Sequence, residues 1–274
     1  MFKRCLATSP DKAKFAPLLY CGSLSGAMES AYRLGFDGLE LNLRDSDQIA
    51  QEKVLADLSR LSLEVPSIGT GQSYFQDGLS LADPNPEVQQ RVRERIKSHI
   101  LFARRLGASV VLGSIRGRLD DSSSETREQC YQIAVEASRE LARFAVEHGV
   151  RLTIEPINRY ETNFLNTVAE TVYFLDEVGE EGIGVLLDTF HMNIEESSMT
   201  EAVHAAGDRL WHVHWVDSNR CAPGMGHTDF RLLWQALEEV GYDGFLSAEI
   251  LPRPDDEAAA ATWSQNTKTM MEQY

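Results

Sequence analysis

Short apolar or β-branched runs alternate along the chain with longer segments in which apolar residues recur every three or four positions. The first pattern is typical of buried parallel strands and the second of amphipathic helices. The predicted strands cover residues 17–21, 38–43, 64–69, 109–115, 151–155, 183–188, 210–216 and 244–250. Repeated strand–helix units in a chain of 274 residues predict an α/β fold, a single (β/α)8 TIM barrel spanning residues 1–274.

Helix start and stop signals support this alternation independently of the strands. Asn85 before Pro86 can cap a helix that stops at Gly107. Thr167 and Glu170 have the spacing of a capping box. These signals place helices between the predicted strands, as βα units require.

An open doubly wound sheet is the rival architecture. It would show a glycine-rich phosphate turn after its first strand, and residues 22–26 do not have the G-x-G-x-x-G spacing. The long non-repetitive insert lies after the third strand, at residues 70–85. In a barrel this loop rises over the active face, so we expect it to act as a lid.

Charge and cysteine content narrow the class of protein. Lys and Arg number 26 against 42 Asp and Glu, a formal net charge of -16, which opposes binding to nucleic acid or anionic lipid. We find no signal-peptide pattern and no uncharged apolar run of about 18 residues, so we expect no membrane span and a cytoplasmic location. The four cysteines form no CxxC pair, which argues against a disulfide framework or a structural zinc site.

Polar residues end four successive predicted strands at the barrel face where chemistry is expected. They are Glu155, Asp188, His214 and Glu249, spaced by about one βα repeat. Three carboxylates at one rim would repel one another unless a cation joined them, so this set predicts one divalent metal ion. Oxygen-rich ligands with one nitrogen suit Mn, Mg or Co, with Zn also compatible. His212 points into the barrel one layer deeper, and we interpret it as a hydrogen-bonded core histidine.

Several loops after these strands carry more polar groups than their length requires. His191 and Arg220 are candidates for function among them. Arg116 and Arg118, together with Arg220, offer guanidinium groups that match a carboxylate on a keto-sugar acid. Arg116 and Arg118 can equally pair with acidic residues of their own loop, and the residues leave both alternatives open.

The segments EPINRYE at 155–161, LDTFHMNIEE at 187–196 and HVH at 212–214, followed by Asn219 and Arg220, resemble the xylose-isomerase-like barrels. Within that group the chain is similar to the ketose 3-epimerases. Further segments are closer to the 5-keto-L-gluconate epimerase branch; they are residues 69–72, 77–81, 115–118, 217–220 and 222–224.

The resemblance implies a divalent-metal-dependent epimerase of a keto-sugar or keto-sugar acid. The metal would be held by Glu155, Asp188, His214 and Glu249, and Glu155 and Glu249 would also be the acid/base pair. The remaining expected contacts with the substrate are from Glu161, His191, Arg220, Gln72 and Arg116. Removing a proton beside the carbonyl and returning one to the opposite face, through an enediolate, would invert the carbon, and the metal would stabilise the developing charge. The family likeness also implies a homo-oligomer, a dimer or tetramer.

Other functions share this barrel. Hydroxypyruvate isomerase or another aldose–ketose isomerase would use a similar pair of glutamates. An apurinic endonuclease would need further histidines after strands three and four, where the sequence has none. A non-catalytic sugar-binding barrel would keep the site for recognition only, and the complete set of two glutamates and metal ligands argues against it.

Overall fold

The computed structural model describes residues 2–12 and 17–274. Within this part of the chain, eight parallel strands close into a barrel in sequence order, and the last strand pairs with the first. The predicted TIM barrel is therefore confirmed. The strands are β1 (Lys3–Thr8), β2 (Gly38–Asn42), β3 (Ser67–Gly69), β4 (Ser109–Leu112), β5 (Leu152–Ile154), β6 (Ile183–Asp188), β7 (Leu210–His214) and β8 (Phe245–Ala248).

Helices surround the barrel and connect its strands. They are α1 (Leu24–Arg33), α2 (Gln51–Leu61), α3 (Gly71–Asp77), α4 (Pro86–Leu106), α5 (Ser124–Glu147), α6 (Val168–Val178), α7 (Thr189–Glu195), α8 (Met199–Ala206), α9 (Phe230–Glu239) and α10 (Asp256–Gln273). No helix among the described residues combines the length and the apolar character needed to cross a membrane.

The helix ends follow the signals read from the sequence. Asn85 caps α4 by accepting a hydrogen bond from the backbone amide of Glu87, and Gly107 ends that helix with φ 70°. Thr167 and Glu170 form the predicted capping box of α6. Local side-chain chemistry therefore sets where these helices begin and end.

The prediction for the first strand was wrong. Residues 17–21 do not form it; β1 is Lys3–Thr8, and Leu19 only makes an isolated bridge to Thr8. The apolar part of β1 is short, and it follows two basic residues that hide the strand pattern. Lys3 lies at the barrel's far end, where its ammonium group reaches solvent and pairs with Glu64 at 2.6 Å.

The insert at residues 70–85 also differs from the expected loop. It begins with the helix α3, which ends at Gly78 with φ 66°. Asp77 at the end of α3 accepts hydrogen bonds from Arg44 and Arg95, which tie the helix to neighbouring parts of the chain. Seven residues are too few to show a helical repeat of apolar positions, so α3 could not be predicted from the sequence.

Alternate residues of the strands face the barrel interior or the helices, because side chains in a strand point to opposite faces. The helix-facing set is apolar and fully buried, as with Leu39, Leu41 and Ile154. The interior set is unusually polar for a TIM barrel, whose interior is normally filled by branched apolar residues. It includes Glu40, Ser67, Thr153, His212 and Ser247, all buried.

Candidate metal centre and substrate pocket

The carboxyl ends of β5 to β8 bring four side chains together. Asp188 and His214 are the last residues of β6 and β7, and Glu155 and Glu249 lie directly beyond β5 and β8. One ligand atom from each of the four lies within 4.8 Å of the others. The arrangement therefore has the spacing of a metal-binding group, as the sequence pattern predicts.

His214 Nδ1 lies close to all three carboxylates. Its distances are 3.3 Å to Asp188 Oδ2, 3.4 Å to Glu155 Oε1 and 3.5 Å to Glu249 Oε2. Asp188 uses its other oxygen, Oδ1, to accept the backbone amide of Phe190 and so caps α7. The two oxygens of Asp188 thus serve the helix and the cluster separately.

Burial and mutual charge shift the pKa values in this cluster. Burial raises the pKa of Glu155 to about 7, although the neighbouring His214 acts in the opposite direction and lowers this pKa. Burial would also raise the pKa of Asp188, but the neighbouring imidazoles of His191 and His214 stabilise its carboxylate and hold this pKa well below its usual range. Burial alone would lower the pKa of His214, yet the charges of Glu40 and Glu249 raise it. Such a concentration of buried carboxylates is stabilised by a cation.

The donor set fits a divalent metal ion. Glu155 Oε1 is buried and, among the described residues, has no hydrogen-bond partner. A buried carboxylate oxygen without a partner is costly, and a metal ion would satisfy it. Three carboxylates and one imidazole suit several divalent ions, so the ligand set leaves the choice among Mn, Mg, Co and Zn open.

A cavity of about 560 Å³ opens above this cluster. Glu155, His214 and Glu249 line it, together with side chains from the loops beyond the strands. Phe75 of α3 also lines the cavity and is 70% exposed, which places α3 at the mouth. The volume is in the range of pockets that hold small molecules.

Arg220, Glu161 and His191 meet on one side of the cavity. Arg220 donates to Glu161 Oε1 at 3.1 Å and to Glu249 Oε2 at 3.2 Å. Its guanidinium carbon lies 4.8 Å from the centre of the Phe190 ring. This network joins a predicted substrate contact, Glu161, to a predicted metal ligand.

His191 is held in one orientation by Asn158, whose Nδ2 lies 2.7 Å from His191 Nδ1. Burial lowers the pKa of His191 to about 4, so the ring is neutral near neutral pH. A neutral ring accepts a hydrogen bond at one nitrogen only, whereas Asn158 Nδ2 beside Nδ1 and Arg220 Nη2, 3.4 Å from Nε2, are both donors. His191 lines the cavity, and oxygens of Glu155 and Asp188 lie 3.9 Å from its Nε2.

Gln72 lies in α3 and lines the cavity while remaining buried. Its Oε1 accepts a hydrogen bond from Gln76 Nε2 at 2.7 Å, so the amide nitrogen of Gln72 is left for other partners. This position agrees with the expected substrate contact, whose role stays a prediction.

The structure argues against the predicted substrate contact of Arg116. Arg116 is 2% exposed and its guanidinium donates to the backbone carbonyls of Gly113, Phe164 and Leu165. These bonds occupy the fork that would bind a carboxylate. Arg116 instead joins the loop after β4 to the loop after β5, and we correct the expectation accordingly.

Arg118 does not support recognition of a carboxylate either. It donates to the backbone carbonyl of Glu161 at 2.9 Å. Asp121, an acidic residue of the same loop, pairs with Arg127. Both arginines after β4 therefore help to hold loops.

One functional candidate was missed in the sequence. Glu40 on β2 points into the barrel and contacts both His212 and His214. The signal was a charged residue at an interior position of a strand whose other residues are buried. The interpretation of His212 as a hydrogen-bonded core histidine agrees with its bond to Glu40 at 2.8 Å.

Comparison with known proteins identifies the family of this chain. The family model described as "Xylose isomerase-like TIM barrel" matches residues 28–268. The chain therefore belongs to the xylose isomerase-like TIM barrel family.

Among its relatives is an L-ribulose 3-epimerase of Methylomonas sp. (strain DH-1), 35% identical over 223 residues that cover 81% of this chain and 77% of the relative. A D-psicose 3-epimerase of Enterocloster bolteae is 32% identical over 223 residues, which cover 79% of this chain and 73% of that relative. The crystal structure of D-allulose 3-epimerase from Methylomonas sp. has a TM-score of 0.78 and 28% identity, over 97% of this chain and 98% of that one. These relatives are epimerases, and the chain is an enzyme of the isomerase class.

Proposed function

We propose that this protein is a divalent-metal-dependent keto-sugar epimerase that inverts the carbon beside the carbonyl, carbon 3 of a 2-ketose. The observation that carries the proposal is the approach of Glu155 and Glu249 to one cavity, with Asp188 and His214 within 4.8 Å. The two glutamates come from β5 and β8, which are separated in the barrel by β6 and β7. Two carboxylates that approach from different strands can serve the two faces of a bound sugar.

The reaction needs a base that removes the proton at carbon 3 and an acid that returns one to the opposite face. Burial raises the pKa of Glu155 to about 7, and a bound cation would lower this pKa again, so the cation would also have to acidify the proton at carbon 3. Glu249 supplies the second carboxylate. A divalent cation bound by these side chains supplies electrophilic polarisation of the substrate's carbonyl and hydroxyl oxygens.

Glu161, His191 and Arg220 orient the substrate in this proposal. His191 presents its Nε2 and Glu161 a carboxylate acceptor, which suit the hydroxyl groups of a sugar. Arg220 holds Glu249 through the bond at 3.2 Å, and so helps to keep that carboxylate in place.

A neutral ketose is the substrate class that the site favours over a keto-sugar acid. Arg116 and Arg118 are engaged with backbone carbonyls, and Arg220 is paired with two carboxylates. Arg116 and Arg118 also lie outside the lining of the cavity, so among the described residues no arginine that lines it is free of a carboxylate partner. The relatives named above also act on neutral ketoses, by their names.

The test is a panel of ketoses and keto-sugar acids incubated with the Mn²⁺-loaded protein, with product configuration determined by NMR. We expect a ketose to yield its carbon-3 epimer. An aldose product would support the isomerase alternative, and preference for a keto-sugar acid would support the 5-keto-L-gluconate branch. Incision of an abasic duplex without any sugar epimerisation would support the endonuclease alternative. The Glu155→Gln variant, prepared in the same way, controls for contaminating activity.

A further inference from the structure

Glu40 is a buried carboxylate that lines the cavity and lies outside the group of four ligands. It lies on β2, is 1% exposed, and uses a single oxygen, Oε2, for two contacts. These are with His212 Nε2 at 2.8 Å and His214 Nε2 at 3.2 Å. A buried charge of this kind is retained only where its bonds offset the cost of desolvation.

The contact with His214 determines which ring nitrogen faces the cluster. Glu40 accepts at Nε2, whereas Nδ1 faces Asp188, Glu155 and Glu249 at 3.3 to 3.5 Å. A neutral imidazole carries one N–H, and a carboxylate acceptor at Nε2 holds that hydrogen there. The lone pair of Nδ1 is then directed toward the position that a cation would occupy.

Glu40 is itself fixed by neighbours on other strands. His212 binds the same oxygen, and Ser67 Oγ lies 3.3 Å from His212 Nε2. These residues belong to β2, β3 and β7, so the carboxylate is anchored across the barrel interior. This arrangement gives it little freedom to turn away from His214.

We propose that Glu40 is a positioning residue of the metal centre, which orients His214 and fixes its tautomer so that Nδ1 is available to the cation. This inference rests on the proposed function as far as the cation is concerned. Partners of metal-binding histidines change metal affinity by about 10- to 100-fold when they are removed. Glu40 does not need to touch the substrate to have this effect.

The experiment measures Mn²⁺ binding to the metal-free protein by electron paramagnetic resonance of the free ion. Variants Glu40→Gln and Glu40→Asp are compared with wild type, because aspartate keeps the charge but withdraws the carboxylate from His214. Glu177→Gln is the matched control, since Glu177 accepts a hydrogen bond from the Tyr131 hydroxyl in the outer helices. Circular dichroism and the Tm of each metal-free variant report its fold.

We expect the Kd for Mn²⁺ to rise about 10- to 100-fold in both Glu40 variants and to stay at the wild-type value in Glu177→Gln. An unchanged Kd in a folded Glu40→Gln variant would overturn the proposal, even with a lowered Tm, because Glu40 would then have only a structural role. Wild-type affinity in Glu40→Asp would also overturn it, because charge rather than contact would be the cause.

The number of Mn²⁺ ions bound per chain provides a further check. Cys5, Glu40 and His212 also have ligand atoms within 4.8 Å of one another. We expect one Mn²⁺ per chain. Two ions per chain would place an ion in this second group, where it would replace the bond between Glu40 and His212, and would overturn the positioning role.

A measurement on wild type alone covers the case in which neither Glu40 variant folds. With ¹⁵N-labelled histidine and diamagnetic Mg²⁺, we expect His214 to carry its proton on Nε2. A proton on Nδ1 would contradict the proposal. Failure of wild type to bind any divalent ion would contradict the proposed metal-dependent function as well. Equal binding by wild type and Glu40→Gln would contradict only the role of Glu40.

Discussion

Arg220 and Glu249 are joined by a hydrogen bond of 3.2 Å from Nη2 to Oε2 at the edge of the proposed metal-binding group. The other arm of the guanidinium binds Glu161 at 3.1 Å. Arg220 has φ 60°, so the loop after β7 adopts a left-handed backbone conformation at this residue. The planar fork thus connects a proposed acid/base residue to a proposed substrate contact.

Replacement of Arg220 by lysine tests this connection. Lysine keeps the charge but lacks the planar fork, so it cannot bind both carboxylates in the same way. We expect kcat/KM to fall by at least about tenfold, equivalent to about 1.4 kcal/mol, with an unchanged circular dichroism spectrum. Wild-type kcat/KM in Arg220→Lys would show that the bridge has no functional role.

The two proposed acid/base residues have a sharper test. Glu155→Gln and Glu249→Gln each remove a proton-transferring group and a metal ligand, and we expect turnover to fall by about 10²- to 10⁴-fold or more. Steady-state assays at saturating Mn²⁺ measure this loss, and Glu177→Gln serves as the control. Full turnover in either site variant would rule out the mechanism with two carboxylates.

Removal of the metal should abolish turnover reversibly. We expect dialysis against a chelator to eliminate activity, and addition of Mn²⁺ or Co²⁺ to restore it, because the oxygen-rich ligand set suits such ions. Parallel additions of Mg²⁺ and Zn²⁺ establish the preference among ions. Activity that persists after the protein is shown to be metal-free would contradict the assignment of the cluster.

Asp217 provides a prediction about stability and pH. Its carboxylate accepts backbone amides of the loop after β7, including those of Gly224 and Gly226, both at 2.8 Å. Burial would raise the pKa of Asp217, but these bonds lower it below its usual value. We expect Asp217→Asn to be destabilised by about 1–3 kcal/mol at pH 7, because an amide cannot accept all of these bonds.

The sign of the pH effect follows from the lowered pKa. Wild type has the greater free energy of unfolding, and its difference from Asp217→Asn is fully present above a pH of about 4. This difference is lost as the pH falls through the lowered pKa of Asp217 in the folded protein. Urea unfolding of the metal-free proteins over this range measures it. Asp229→Asn is the control. Asp229 caps the N-terminus of α9, and asparagine is about as effective as aspartate at such a position. An advantage that grows on acidification would contradict the role of Asp217.

Features that depend on neighbours along the chain could be predicted from the sequence. The caps at Asn85 and Thr167 and the strand ends at Asp188 and His214 belong to this class. The barrel then places the strand ends at one face by topology alone. This is why the sequence could predict that the four candidate metal ligands lie together.

Features set by distant contacts could not be predicted in this way. The guanidinium of Arg116 is bound by the carbonyls of Phe164 and Leu165, far along the chain, so its absence from the pocket could not be predicted from the residues around it in the sequence. Glu40 has no local motif, and its role depends on β7 on the other side of the barrel. β1 was missed because its apolar part is short and lies behind Lys3 and Arg4.

The position of solvent-derived deuterium in a ketose incubated with the enzyme in D₂O tests the central claim most directly. Proton exchange through carboxylates at carbon 3 predicts deuterium at carbon 3 of the epimeric product, appearing only with metal present and not with Glu155→Gln. Deuterium at carbon 2 of an aldose product or at carbon 1 of the recovered ketose, or epimer formation without any deuterium, would contradict epimerisation at carbon 3 by these two glutamates.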